Sequence, residues 1–297
     1  MNKIIQCVPN FSEGRNQAII DKITAPFASR KGVKLLDVQA DADHHRMVVT
    51  VLGSPEGVQR SVLAAMARAV ESIDMTRHQG QHPRMGAVDV VPFIPIKGME
   101  MDEAVTLSKA VAAQAADALE LPIFLYERSA TAPHRMNLAA VRKGQFEGMA
   151  DKLKDPRWQP DYGPARIHPT AGATAVGARP PLVAFNVNLG TDRLSIADAI
   201  AKRVRHIGGG LRFCKAMGVA LEDRGQVQVS MNMTDFSQTS LYQAVELIRI
   251  EARRYGVAVV GSEVVGLVPM QALVDCAAHY MGLENFSTQQ VLESHLI

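Results

Sequence analysis

Arg46-Met47-Val48-Val49-Thr50-Val51-Leu52-Gly53-Ser54-Pro55-Glu56-Gly57 is the stretch where one kind of structure stops and another starts. Residues 47–52 are apolar and rich in β-branched side chains, which suit a pleated strand. Gly53 ends the run. Ser54 is a helix N-cap and Pro55 takes the first helical position, where its missing N–H costs nothing. Val58, Val62, Ala65, Ala69 and Ile73 then recur at helical spacing, so a helix is expected to about residue 73. Working outward, residues 33–38 form the preceding strand and 16–28 a helix carrying Ile19, Ile20, Ile23 and Phe27. Residues 3–9 read as the first strand and 88–96 as the one after the long helix. In that last strand Pro92 and Pro95 argue for an edge position or an early end. A helix over 101–119 and a short strand over 123–126 follow.

The second half repeats the order. Strands are expected over 182–189, 213–221, 226–234 and 257–261, with helices over 195–206, 240–255 and 269–280. Both halves therefore read β-α-β-β-α-β, the ferredoxin-like unit with helices on one face of an antiparallel sheet. The fold class is α/β in the broad sense (α+β): two ferredoxin-like subdomains, 1–179 and 180–297, with a ligand cleft between them. Residues 155–181 hold six prolines and little helical pattern, so they read as a long connection, functional or a linker.

Composition limits the function. The chain has 297 residues, enough for one large domain or two small ones. With 47% hydrophobic residues it can bury a substantial core, which removes disordered and fibrous readings. Thirty-two basic against 30 acidic residues leave a formal charge of +2, too balanced for a chain that coats nucleic acid or an anionic membrane. Cys7, Cys214 and Cys276 are far apart and form no CxxC, as expected of free thiols. Gln6, Pro9 and Asn10 interrupt any signal-peptide core, and no run of about 18 apolar residues exists. A cytoplasmic location is expected.

Chemistry concentrates on two polar loops. Residues 37–46 include Asp41, Asp43, His44, His45 and Arg46; residues 77–86 include His78, His82 and Arg84. The loops are expected to meet at one edge of the first sheet. His78 and His82 are four apart, but Gly80 and Pro83 argue against a helix there, and no HExxH occurs, so no metal is assigned. His82 suits general acid–base work, because imidazole titrates near neutral pH and can take and return a proton. Arg46 and Arg84 could hold a carboxylate in a fork. Gly208-Gly209-Gly210 follows a helix, the wrong order for a phosphate loop, and no GxxxxGK[ST], GxGxxG or GxSxG occurs. No nucleotide cofactor is expected. Residues 161–174 combine prolines, small residues and backbone donors, which let a ligand approach the main chain.

Several segments resemble the glutamate formimidoyltransferase family. They are Cys7-Val8-Pro9-Asn10-Phe11-Ser12-Glu13-Gly14, His82-Pro83-Arg84-Met85-Gly86-Ala87-Val88-Asp89, Gly172-Ala173-Thr174-Ala175-Val176-Gly177-Ala178-Arg179, Ala184-Phe185-Asn186-Val187-Asn188-Leu189 and Val259-Val260-Gly261-Ser262-Glu263-Val264-Val265. The resemblance covers essentially the whole chain. It implies transfer of the formimidoyl group from N-formimidoyl-L-glutamate to N5 of tetrahydrofolate, a step of histidine breakdown, in a homodimer. It implies His82 as the acid–base group. It places folate on Gly163, Pro164, Ala165, Arg166, Ile167, His168, Pro169, Thr170, Ala171 and Gly172. Arg46, Arg84 and Arg179 are the candidates for substrate carboxylates. The family's cyclodeaminase domain is absent from this sequence, so a separate cyclodeaminase is expected downstream. Gln39 and His45 depart from the family's acidic residue and Asn. The rival readings are a glutamate formyltransferase or ATP-dependent 5-formyltetrahydrofolate cyclo-ligase on the same scaffold, a non-catalytic folate-binding module, and a metal-dependent hydrolase.

Overall fold

The structure is a computed structural model describing residues 3–80 and 82–296. The chain divides into two compact units, Met1–Arg179 and Pro180–Ile297. In the first unit the elements run β1 (Ile4–Cys7), β2 (Asn10–Phe11), α1 (Gln17–Ala28), β3 (Val33–Asp41), β4 (Arg46–Gly53), α2 (Pro55–Ser72), β5 (Val88–Lys97), α3 (Met101–Leu119), β6 (Ile123–Glu127), α4 (Leu138–Arg142), α5 (Gln145–Lys152) and β7 (Thr174–Ala178). Asn16 caps α1, its side chain accepting from the amides of Ala18 and Ile19. Ser54 caps α2, accepting from the Gly57 amide. Each side chain satisfies first-turn N–H groups that have no partner within the helix.

β1 pairs antiparallel with β4 and β5, and β3 pairs antiparallel with β4. The order β3-β4-β1-β5 is that of a ferredoxin-like sheet. Two further strands extend it beyond β5: β7 pairs parallel with β5, and β6 parallel with β7. Ile23 and Phe27 of α1, Val58 and Val62 of α2, and Val111 and Ala112 of α3 are fully buried with Ile5, Val49, Val51 and Phe93 of the sheet. On the opposite face, Val141 of α4 and Met149 of α5 are buried with Val90, Phe124 and Tyr126.

Three expectations are corrected here. The strand expected over 3–9 is two strands, β1 and β2, separated at Val8-Pro9. β5 is not an edge: it lies between β1 and β2 on one side and β7 on the other. Its prolines fit because Pro92 lies opposite that Val8-Pro9 break, its carbonyl accepting from the Val8 amide, and Pro95 lies beyond the pairing with β7. Residues 155–181 are not a linker, because Thr174–Ala178 is a fully buried central strand of the first unit. The rest of that segment is anchored to the same unit. Tyr162 and Asp161 bond the backbone of Ile123, the Met75 amide donates to the Thr170 carbonyl, and the Asp161 carboxylate pairs with Arg135 at 2.7 Å.

The second unit runs β8 (Val183–Leu189), α6 (Leu194–Val204), β9 (Cys214–Leu221), β10 (Gln226–Met233), α7 (Leu241–Arg253), β11 (Val259–Val265) and α8 (Met270–Met281). Its sheet has the order β11-β8-β10-β9, antiparallel throughout, again ferredoxin-like. β8 alternates cleanly. Val183, Phe185, Val187 and Leu189 face α6 and α7 in the core, while Asn186 and Asn188 face the other way. Each buried Val or Leu contributes about 1.5–3 kcal/mol, so a one-residue slip that put the asparagines inside is strongly disfavoured. β11 runs past Gly261, where a shorter strand was expected. Gly261 marks a register shift rather than an end. Among the described residues, no helix is long and apolar enough to cross a membrane.

Candidate active site

The two polar loops meet, as the sequence suggests. The His45 ring stacks on His78 with centroids 4.2 Å apart, and the His44 and His82 rings lie edge to face at 6.4 Å. His45 Nδ1 bonds the Gln79 carbonyl at 3.0 Å, and His78 Nε2 donates to the His45 carbonyl at 2.8 Å. Gln81, beside His82, lies outside the described residues. The crevice so formed is lined by Ser12, His44, His45, Arg46, His78, His82, Arg84 and Asp89.

Two polar arms flank His82. In the first, Glu13 sits in a nest of backbone donors, one carboxylate oxygen accepting from the amides of Gly14, Arg15 and Asn16 and from His45 Nε2 at 3.2 Å. Burial alone would raise the Glu13 carboxyl, but these donors outweigh it and hold the pKa below the usual range. His45 is therefore not the solvated loop residue that its neighbours suggest. In the second arm, Arg84 Nε donates to His78 Nδ1 at 3.1 Å, so His78 carries its proton on Nε2. Burial, His45 and Arg84 all lower the His78 pKa. The rest of the Arg84 guanidinium grips the Glu147 carboxylate at 2.7 and 2.9 Å, with Gln145 and the His78 carbonyl as further acceptors. The fork expected to meet a substrate carboxylate is thus filled by one from α5.

His82 is half-buried, and its Nδ1 is enclosed without a hydrogen-bond partner. Burial, with Arg46, Arg142 and His44 adding their positive fields, pushes its pKa down to about 3. The ring is a neutral imidazole at physiological pH. Arg46 donates to Asn10 Oδ1, and burial next to Arg142 lowers its pKa to about 10. Arg142 donates to Asp89, whose other oxygen accepts the Met85 amide at 3.0 Å. Arg179 is hydrogen-bonded to the buried Tyr126 hydroxyl, on which Arg142 also acts; burial raises the pKa of that hydroxyl to about 12.

The segment Gly163–Gly172 is split. Ala171 and Gly172 are buried against the His82 loop: the Ala87 amide donates to the Ala171 carbonyl and the Ala173 amide to Met85. Gly172 has φ +76°, and a Cβ there would run into the Met85 carbonyl. His168 Nδ1 accepts from the amides of Thr170 and Ala171, which holds the turn. Ile167 packs against the α4–α5 core, whereas Ala165, Pro169 and Thr170 are exposed. Gly163, Pro164 and Arg166, with Tyr162, Ala116 and Glu120, line a separate cavity of about 500 Å³ against α3. That size suits a small ligand, but the cavity shares no lining residue with the His82 crevice.

Sequence reading missed Arg142, Asp89, Glu13, Asn10 and Glu147. Glu13, Asn10 and Asp89 lie inside family-like segments without an assigned role. Arg142 and Glu147 carry no local signal, because they arrive from the excursion between β6 and β7. Among the described residues, no group of three or more His, Cys, Asp or Glu side chains is arranged to hold a metal ion.

Comparison with known proteins places this geometry. Residues 4–179 match the formiminotransferase domain, N-terminal subdomain, and residues 184–297 match the formiminotransferase domain. The chain is 56% identical over 298 residues to a glutamate formimidoyltransferase of Streptococcus pyogenes serotype M1, covering all of both chains. It is 42% identical to one from Thermoplasma acidophilum, covering 98% of this chain and 96% of that one. It is 43% identical to the formimidoyltransferase-cyclodeaminase of Rattus norvegicus, covering 96% of this chain and 53% of the rat protein. The chain belongs to the formiminotransferase family.

Proposed function

We propose that this protein transfers the formimidoyl group of N-formimidoyl-L-glutamate to N5 of tetrahydrofolate, with His82 moving the proton. The observation that carries the reading is His82 itself: a neutral imidazole in a cationic crevice, its Nδ1 enclosed and unpartnered. As N5 attacks the formimidoyl carbon, His82 accepts the N5 proton. The tetrahedral adduct then expels the glutamate nitrogen, to which His82 returns the proton. One bond to carbon forms, one breaks, and no oxidant or phosphate is needed. Such proton transfer contributes about 10²–10⁴-fold. The Glu13–His45 and Arg84–Glu147 arms position the loop, and Gly163–Gly172 contributes to folate binding, with the cavity against α3 as the place where Gly163, Pro164 and Arg166 could meet it.

The two units would serve as the family's subdomains, divided at Arg179, and the product would pass to a separate cyclodeaminase in the cytoplasm. Exposed apolar side chains on β11 and α8, among them Val260, Val265, Leu273 and Met281, favour a homodimer. The deciding experiment offers purified protein both substrates without ATP and follows glutamate release. Release dependent on tetrahydrofolate is expected. Release only with N-formylglutamate, or a requirement for ATP, would move the protein to a related one-carbon reaction.

A further inference from the structure

The crevice holds guanidinium N–H groups that its own acceptors do not satisfy. Arg46, from β4, lines the crevice; Arg142, from α4, reaches it through its hydrogen bond to the lining Asp89, and the charges of both act on His82. Asp89, 2% exposed, is the carboxylate hydrogen-bonded to Arg142, and it acts on Arg46 through space, as does Asp41; the Arg46 guanidinium itself donates to the neutral Asn10 amide. The Nε atoms of Arg46 and Arg142 are both buried and without a hydrogen-bond partner, as is His82 Nδ1. A buried guanidinium N–H left without an acceptor is costly, and two such groups in one cluster leave it short of an acceptor, which a carboxylate would supply.

We infer that Arg46 and Arg142 together clamp the α-carboxylate of the formimidoyl donor, with Asp89 aiming Arg142. This rests on the transferase reading and names the part of the donor that it seats. The chemistry selects the carboxylate. In formimidoylglutamate the α-carboxylate and the nitrogen that must leave share one carbon, so fixing the first beside His82 brings the second within reach of the same imidazole. The glutamyl tail of a folate carries carboxylates too, but at the far end of the molecule from N5. A clamp close to His82 would draw that tail toward the proton carrier and N5 away from it. Guanidinium forks suit the planar carboxylate, and the arrangement spends its energy on orientation as well as affinity.

The test compares two donors and two acceptors. Wild-type protein is assayed with N-formimidoyl-L-glutamate and with N-formimidoyl-4-aminobutyrate, which lacks only the α-carboxylate. It is then assayed with tetrahydrofolate and with tetrahydropteroate, which lacks the glutamyl tail. Wild type should prefer the full donor by at least about thirtyfold in kcat/KM, the loss typical when a buried charge partner is removed. Arg142→Gln should cut that preference to less than about threefold, while leaving the preference between the two acceptors unchanged. If Arg142→Gln fails to fold, Arg142→Lys takes its place, because a lysine keeps the charge but loses the fork; the donor preference should still fall severalfold. Equal losses on both donors would make Arg142 merely structural and overturn the inference. Loss of acceptor preference instead would give the clamp to the folate tail and overturn it equally. A wild-type protein that transfers nothing from the full donor would remove the transferase reading itself, a result distinct from either.

Discussion

The two units share one topology and differ in what they place on it. Both are ferredoxin-like, with sheet orders β3-β4-β1-β5 and β11-β8-β10-β9. In the second unit, Asn186, Asn188, Gln228 and Glu263 on the helix-free face bond one another, although the neighbouring Gln226 Oε1 is buried without a partner. Gln228 Nε2 donates to Asn188 Oδ1 and to Glu263, and Asn186 donates to Glu263 as well. In the first unit the polar cluster is left incomplete, with nitrogens of Arg46, Arg142 and His82 buried and unpaired. A closed network contributes rigidity; an open one in the same chain is a site waiting for a ligand. The difference comes from additions to the common frame. These are the β3–β4 loop, the loop before β5, and the excursion between β6 and β7 that delivers Arg142 and Glu147.

The largest effect that would sharpen this contrast is at His82. His82→Ala should fold normally and lose about two to four orders of magnitude in kcat, measured as glutamate release. Turnover near wild type would take the imidazole out of the reaction. The field around His82 makes a further claim. A depressed pKa means that the folded protein keeps the ring neutral where the unfolded chain, at about 6.5, already binds a proton. The stability linked to this group is therefore intact above pH 6.5 and lost as pH falls toward 3. Arg46 and Arg142 and the His44 ring face it, with Asp89 behind Arg142, so a bound carboxylate should raise its pKa. The expected NMR result is a neutral His82 ring at pH 5 without ligand; a midpoint near 6.5 would mean that the arginine field does not reach it.

Much of this frame is legible in the residues. Ser54-Pro55 marks a helix start because capping is local, and the alternation in β8 exposes its two faces because a strand repeats every two residues. What the chain hides is non-local. Thr174-Ala175-Val176-Gly177-Ala178 has small side chains and a glycine, yet forms a central strand, because strand preference depends on the neighbours that bury it. Pro92 reads as an edge signal until the break at Val8-Pro9 is seen beside it. Arg142 reaches Asp89 in the crevice wall from 53 residues further along the chain, and nothing in its own helix announces the partner. The histidine loops could be paired in advance because both flank strands of one sheet. Their occupied arms could not, since Glu13 and Glu147 come from elements with no histidine of their own.

The smallest predicted effect tests whether the first unit's additions are packed as tightly as the shared frame is tolerant. Gly172 and Gly225 both sit at positive φ, +76° and +57°. Alanine in that backbone region costs about 1–2 kcal/mol in either place. Around Gly225, in the β9–β10 turn, a Cβ meets nothing within 4 Å, so Gly225→Ala should lose only that amount. At Gly172 the new methyl would press on the Met85 carbonyl, the Gly86 backbone and the Phe146 ring, which adds about 1–3 kcal/mol of overpacking. The only tryptophan, Trp158, lies in the first unit, so its fluorescence in a urea titration reads that unit, while circular dichroism follows both. Gly172→Ala should shift the tryptophan transition further than Gly225→Ala shifts the dichroic one. It should also lower turnover, because the Ala173 amide bonds the Met85 carbonyl in the loop that carries His82. Equal shifts would mean that Gly172 yields as freely as a surface turn, and its close packing against the Met85–Gly86 backbone would carry no stability.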